Sequence, residues 1–202
     1  DILDGFFGKL REELVPLVQK IREKKGFISR DCLHRYYDIE TQKKMARFVS
    51  EYVGFDLDRG VIAESMHPFT TNLHNNDVRL TSFYRENGLE YALFCVIHET
   101  GHALYEQDID DAITLTPIGG GAGMSMHESQ SRLYENNFGR SKAFWKNLYP
   151  KIQEFFPEQL GDVTLEEFYR AINYSEPGLI RTAADELTYP FHIMIRYEIE
   201  KM

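Results

Sequence analysis

The stretch that most limits how this chain can fold is Leu89–Leu104, an almost unbroken apolar run that also carries His98, Glu99 and His102. A helix apolar on nearly every face has to be buried, and the pattern predicts one over about Leu89 to Gln107. Ionisable groups inside such a helix are costly unless each is paired or bound to a metal. His98 and His102 are four residues apart, so they stack on one face roughly 6 Å apart at Cβ. That spacing lets two imidazoles meet one cation at about 2.0–2.1 Å each. Glu99 projects about 100° round the helix, where it can act on a metal-held water without ligating. The run reads as the core of a zinc hydrolase.

Composition narrows the setting. With 43% hydrophobic and 27% charged residues, the chain is an ordinary globular one. Its 202 residues suffice for one sizeable core. A formal charge of −9 argues against nucleic acid as partner, since phosphate binding needs a basic surface, and against an anionic membrane surface. No apolar run reaches the roughly 18 residues a spanning helix needs. Two cysteines, Cys32 and Cys95, and no leader at Asp1 fit a cytoplasmic protein. The chain opens on Asp1 and closes on a helical-looking Arg196–Met202 without a stop signal. A single catalytic-core domain over 1–202, cut from a longer chain, is therefore expected.

Residues 2–25 carry apolar side chains at helical spacing, with Gly26 as stop and Pro16 expected to kink or restart the helix. Asp38 is placed to cap a second helix to about Val53, ended by Gly54. Val61–Met66 and Asp77–Phe83 read as two short strands, with the Asn- and Pro-rich 67–76 between them as loop. After the buried helix, Gly119-Gly-Gly121 bares backbone that could hold an extended peptide or serve as a floppy connector. Helices are expected over about Ser125–Asn137 and Phe144–Phe156, the latter closed by Pro157. Thr164 and Glu167 form a capping-box pattern opening a helix to about Tyr174. A last helix should run from Thr182 to the end, bent at Pro190.

A catalytic zinc site needs three protein ligands and an open position. Glu128, in His127-Glu-Ser-Gln-Ser-Arg132, is the leading third ligand, with Glu135 and Asp108 as competitors. His127 points about 100° away from Glu128 on their shared helix and is the weaker rival. Cys95, three residues before His98, is read as a small packing residue. The expected fold is mainly α: a zincin-like helical domain with a small β-sheet beside the His-Glu-x-x-His helix.

Five segments taken together, His67-Pro-Phe69, Asp77-Val-Arg-Leu-Thr81, His98-Glu-Thr-Gly-His102, His127-Glu-Ser-Gln-Ser131 and Ile180-Arg-Thr-Ala-Ala-Asp185, resemble the thermostable (Taq-type) metallocarboxypeptidase family in kind and order. The resemblance implies a zinc-dependent carboxypeptidase acting on peptides with a free C-terminus. His98, His102 and Glu128 would be its metal ligands and Glu99 its base, with a homodimer for the full-length protein. Family members are longer and carry a further Gly-x-x-Gln-Asp-x-His-Trp motif not found here. An arginine fork suits the substrate carboxylate. The resemblance makes Arg181 the first anchor and Arg79 the second, against the alternatives of ion pairs Arg181–Asp185 and Arg79–Asp77; for Arg79 the ion pair is the readier reading. His67, Tyr105 and Tyr189 would line the cleft or steady the oxyanion, or else pack. The same donor set would also take cobalt or manganese. The rival functions are a zinc endopeptidase, a metal-binding but inactive fragment, and a purely structural helical domain.

Overall fold

The computed structural model describes residues 2–24 and 28–202. Along the chain lie α1 (Ile2–Arg22), α2 (Ile39–Val53), β1 (Gly60–Glu64), β2 (Thr70–His74), β3 (Asp77–Ser82), α3 (Leu89–Gln107) and α4 (Met124–Arg132). They are followed by α5 (Lys142–Phe155), α6 (Pro157–Leu160), α7 (Leu165–Ile172) and α8 (Tyr189–Glu200). The fold is mainly α with one small sheet beside α3. Contacts divide it into two compact units, one of residues 31–172 and one of 1–30 with 173–202. No helix is long and apolar enough to cross a membrane among the described residues.

In the larger unit α3 is the central element, and its boundaries are those the apolar run predicts. Twelve of its nineteen residues are buried, from Leu89 through Gln107. Its C-terminal end is tied down by the Gln107 amide, which donates to the Asp56 carbonyl at 2.9 Å and accepts from the Asp56 N–H at 3.1 Å. Asp38 caps α2 by accepting from the Thr41 N–H at 2.8 Å. Gly54 leaves that helix at φ 124°, a value L side chains avoid. Behind α3, Trp145 is fully buried against Phe168, with ring centroids 4.9 Å apart, and gives its indole N–H to the Gly139 carbonyl at 2.6 Å.

Three expectations are corrected here. The 67–76 connector contains a strand: β2 pairs antiparallel with β3, and β1 pairs parallel with β3 on its other side. Residues 75–76 form a two-residue loop between the paired His74 and Asp77, and the register slips between Asn72 and His74. Cross-strand bonds from β3 thus override the loop-like composition. Pro190 opens α8 rather than bending a helix, because a first-turn proline loses no intrahelical bond; Pro157 follows the C-cap of α5, as expected, and also opens α6. The predicted Ser125–Asn137 helix is α4 followed by a wider π-helical turn over Leu133–Phe138. The Thr164–Glu167 box forms as expected, with Thr164 N–H on the Glu167 carboxylate at 2.8 Å and Glu167 N–H on Thr164 Oγ1 at 3.2 Å. Its helix stops at Ile172.

In the smaller unit, α1 runs through Pro16 without a restart and buries none of its side chains fully. Phe7 packs on Tyr197 of α8 with centroids 4.9 Å apart, and Asp4 pairs with Lys201 at 2.5 Å. Gly26, the expected stop, lies outside the described residues.

Candidate metal centre

Within α3 the four-residue spacing sets the His98 and His102 rings 4.9 Å apart. The third group arrives from α4, and Gly101 lets it come close. A Cβ built on Gly101 would lie 2.7 Å from Ser131 Cα and 3.0 Å from the Gln130 carbonyl oxygen, so only glycine permits this helix approach. Glu128, one turn before Ser131, then places its Oε2 3.6 Å from His98 Nε2 and 3.5 Å from His102 Nε2. One ligand atom from each of the three residues falls within 4.8 Å of the others. A tetrahedral site with bonds of about 2.0–2.1 Å has ligand–ligand edges of roughly 3.4 Å, so the donor set and its spacing fit a single divalent cation. Among the described residues no other cluster of three such groups has this geometry.

The atoms turned away from the centre are held too. His98 Nδ1 donates to Glu135 Oε2 at 2.7 Å. Arg132 gives Nε to Glu128 Oε1 at 3.1 Å and Nη1 to Glu135 Oε2 at 3.2 Å, joining both carboxylates. Burial works against ionising Glu128, but His102, His98 and Arg132 outweigh it and bring the group down to about 2. The same contest lowers Glu135: burial opposes its charge, and His98 and Arg132 prevail. For His98, burial disfavours the imidazolium, yet the hydrogen bond to Glu135 and the surrounding carboxylates raise it above the usual histidine value. Burial pushes the Cys95 thiol up to about 12, which makes it a packing group.

Glu99, 6% exposed, points to the sheet side of α3. Thr70 Oγ1 on β2 donates to its Oε2 at 2.6 Å. His127 lies far closer than its helical angle suggests, with Nδ1 3.1 Å from His102 Nδ1 and Nε2 against Glu106 Oε1. Glu106 also accepts from Asn72 Nδ2 at 2.6 Å. Tyr105 sets its ring edge on His127, centroids 4.8 Å apart, and its hydroxyl accepts from the Ala122 N–H at 3.1 Å, pinning the end of the glycine-rich loop.

The other candidates are placed differently. Arg79 makes a two-pronged pair with Asp77, 2.8 Å at each contact, on the exposed side of β3. His67 is exposed between β1 and β2, and its carbonyl accepts from Ser65 Oγ at 2.7 Å. Asp108 is exposed at the end of α3 and is not part of the cluster. Arg181, in the smaller unit, donates to the Tyr189 hydroxyl at 2.9 Å. The expected Asp185 partner is instead occupied by Ser175 Oγ, Thr188 Oγ1 and backbone N–H groups of its own loop. Sequence reasoning weighed Glu135 only as a rival third ligand, where the structure sets it against His98 Nδ1, and did not assign Arg132, Glu106, Asn72 or Thr70. For two of them a signal existed: Glu128, Arg132 and Glu135 recur at i, i+4 and i+7, one face of a helix.

A family model described as carboxypeptidase Taq (M32) metallopeptidase matches residues 1–202. Carboxypeptidase 1 of Bacillus subtilis is 46% identical over 200 residues, covering 99% of this chain and 40% of the relative. Thermostable carboxypeptidase 1 of Thermus thermophilus is 40% identical over 211 residues, covering 98% and 41% respectively. Among solved structures, the M32 carboxypeptidase from Deinococcus radiodurans R1 superposes with a TM-score of 0.92 at 45% identity, covering 96% of this chain and 39% of that one. The chain thus spans about two fifths of the length of the relatives it matches.

Proposed function

The chain belongs to the carboxypeptidase Taq (M32) metallopeptidase family, and on that footing we propose that it carries the hydrolytic centre of a zinc-dependent carboxypeptidase. The observation that carries this reading is the convergence of His98 Nε2, His102 Nε2 and Glu128 Oε2 beside a buried Glu99. His98, His102 and Glu128 would hold one divalent cation, zinc in the first place and cobalt or manganese as substitutes. When bound, it would polarise the scissile carbonyl and make water a nucleophile near neutral pH.

The protein groups do the rest. Glu99 takes the proton of the attacking water and passes it to the leaving amine nitrogen, with Thr70 fixing the carboxylate for the transfer. Arg181 is the proposed anchor for the substrate's free carboxylate. Its Nη1 donates to a neutral hydroxyl, that of Tyr189, whereas Arg79 is held by two bonds to the Asp77 carboxylate.

The test joins metal analysis to hydrolysis of an N-blocked dipeptide with a free or an amidated C-terminus. The expected result is one metal per chain and cleavage of the free acid alone. Glu99→Gln should keep the metal and lose activity by orders of magnitude. Loss of metal in that variant would make Glu99 a ligand, and equal cleavage of both peptides would make the centre that of an endopeptidase.

A further inference from the structure

The two histidines of the centre are held at their outer nitrogens by different chemistry. His98 Nδ1 faces a carboxylate directly, at 2.7 Å from Glu135. His102 Nδ1 faces another imidazole nitrogen, His127 Nδ1, at 3.1 Å. Two nitrogens at that distance share one proton, and the rest of the chain of contacts decides whose it is. His127 Nε2 lies on Glu106 Oε1. Glu106 is 5% exposed, and its other oxygen accepts from Asn72 at 2.6 Å. An ionised carboxylate only accepts, so the proton between Glu106 and His127 sits on Nε2. With that as its single proton, the His127 ring has a bare Nδ1, which can only accept, and the proton between the rings belongs to His102 Nδ1. The lone pair of His102 is thereby left on Nε2, the atom 3.5 Å from Glu128 Oε2. Surrounding groups clamp the His127 ring in this pose. The Tyr105 edge packs on one side, and Gly121 comes so close that a Cβ there would lie 2.7 Å from His127 Cδ2.

We propose that Asn72, Glu106 and His127 form a positioning relay that fixes the tautomer and orientation of His102, presenting its Nε2 lone pair to the metal centre. The inference rests on reading His98, His102 and Glu128 as that centre. The relay reaches one ligand through a neutral intermediary, whereas the His98 arm uses a direct carboxylate. It also gives a role to Asn72 on the edge of the sheet and to the residue preceding Glu128.

The experiment uses the metal-free chain labelled with 15N-histidine, whose long-range 1H–15N correlations report which ring nitrogen carries the proton. The expected spectrum shows His102 protonated at Nδ1 and His127 at Nε2. Zinc affinity is then measured by chelator competition. His127→Leu removes the acceptor and should weaken zinc binding about 10–100-fold. His127→Asn can set its Oδ1 where Nδ1 stood and should recover most of that loss. A packing role alone would reverse this order, because leucine fills the imidazole space better than asparagine. A His102 proton on Nε2 in the wild-type chain, or unchanged zinc affinity in His127→Leu, would overturn the relay while leaving the metal reading intact. A wild-type chain that binds no zinc would overturn both.

Discussion

Gly101→Ala is the substitution through which helix packing and metal binding should fail together. The added Cβ would stand 2.7 Å from Ser131 Cα, 3.0 Å from the Gln130 carbonyl oxygen and 3.2 Å from Ser131 N, all backbone atoms of α4. Carbon atoms at rest lie about 3.5–4.0 Å apart, so α4 must retreat by roughly 0.8 Å or more. Crowding of this kind costs typically 1–3 kcal/mol, offset in part by the roughly 1 kcal/mol by which alanine favours a helix over glycine. Thermal stability should therefore change modestly. The metal centre should suffer more, because Glu128 travels with α4. A bond of about 2.1 Å cannot absorb a displacement of roughly 0.8 Å, and zinc affinity should fall by at least the 10–100-fold seen when a supporting contact is lost. The assay is chelator competition alongside a thermal melt, with Gly120→Ala as control, since a Cβ there meets nothing within 4 Å. Gly101→Ala binding zinc as the wild type does would refute the argument that close helix approach sets the ligand geometry.

Further outcomes follow from the surrounding contacts. Glu135→Gln removes the carboxylate charge that faces His98 Nδ1 and should weaken zinc binding about 10–100-fold with the far-ultraviolet circular dichroism unchanged; equal affinity would show that His98 is oriented by packing alone. Thr70→Val keeps the side-chain shape but strips the 2.6 Å bond from buried Glu99, and urea denaturation should show a loss of about 1.5–3 kcal/mol, the contribution of a hydrogen bond to a charged group. No loss would mean that Glu99 finds another donor. Cys95, with its thiol pushed up to about 12 by burial against an ordinary 9.0, should have roughly five-hundredfold less thiolate at pH 9 than an unfolded thiol, and alkylate correspondingly slowly. Because the native state holds that proton more tightly, its contribution to stability is complete below the ordinary thiol value and is lost as pH rises from about 9 towards 12. Fast alkylation of the native chain would contradict the burial seen here.

What the sequence disclosed and what it withheld divide along a physical line. Features set by one segment's own pattern were legible: the limits of α3 from its all-round apolarity, the Asp38 and Thr164–Glu167 caps from side chains that reach their own backbone, and the stacking of His98 on His102 from helical pitch. Features set by a neighbour were not. β2 exists because β3 offers it hydrogen bonds that its own Asn-rich composition does not announce. His127 shows the same division inside the site. Its angle from Glu128 on α4 correctly says that the two side chains diverge, and from that alone His127 seemed remote from the metal. Yet His102 exposes two ring nitrogens on different edges, and the diverging side chains meet one each: Glu128 beside Nε2 and His127 at Nδ1. Divergence on one helix thus becomes convergence on the partner side chain, and the element that makes it so is the tight approach at Gly101. Spacing within the motif names the ligands, while the small residue inside it governs how near the second helix comes and therefore how firmly those ligands are held.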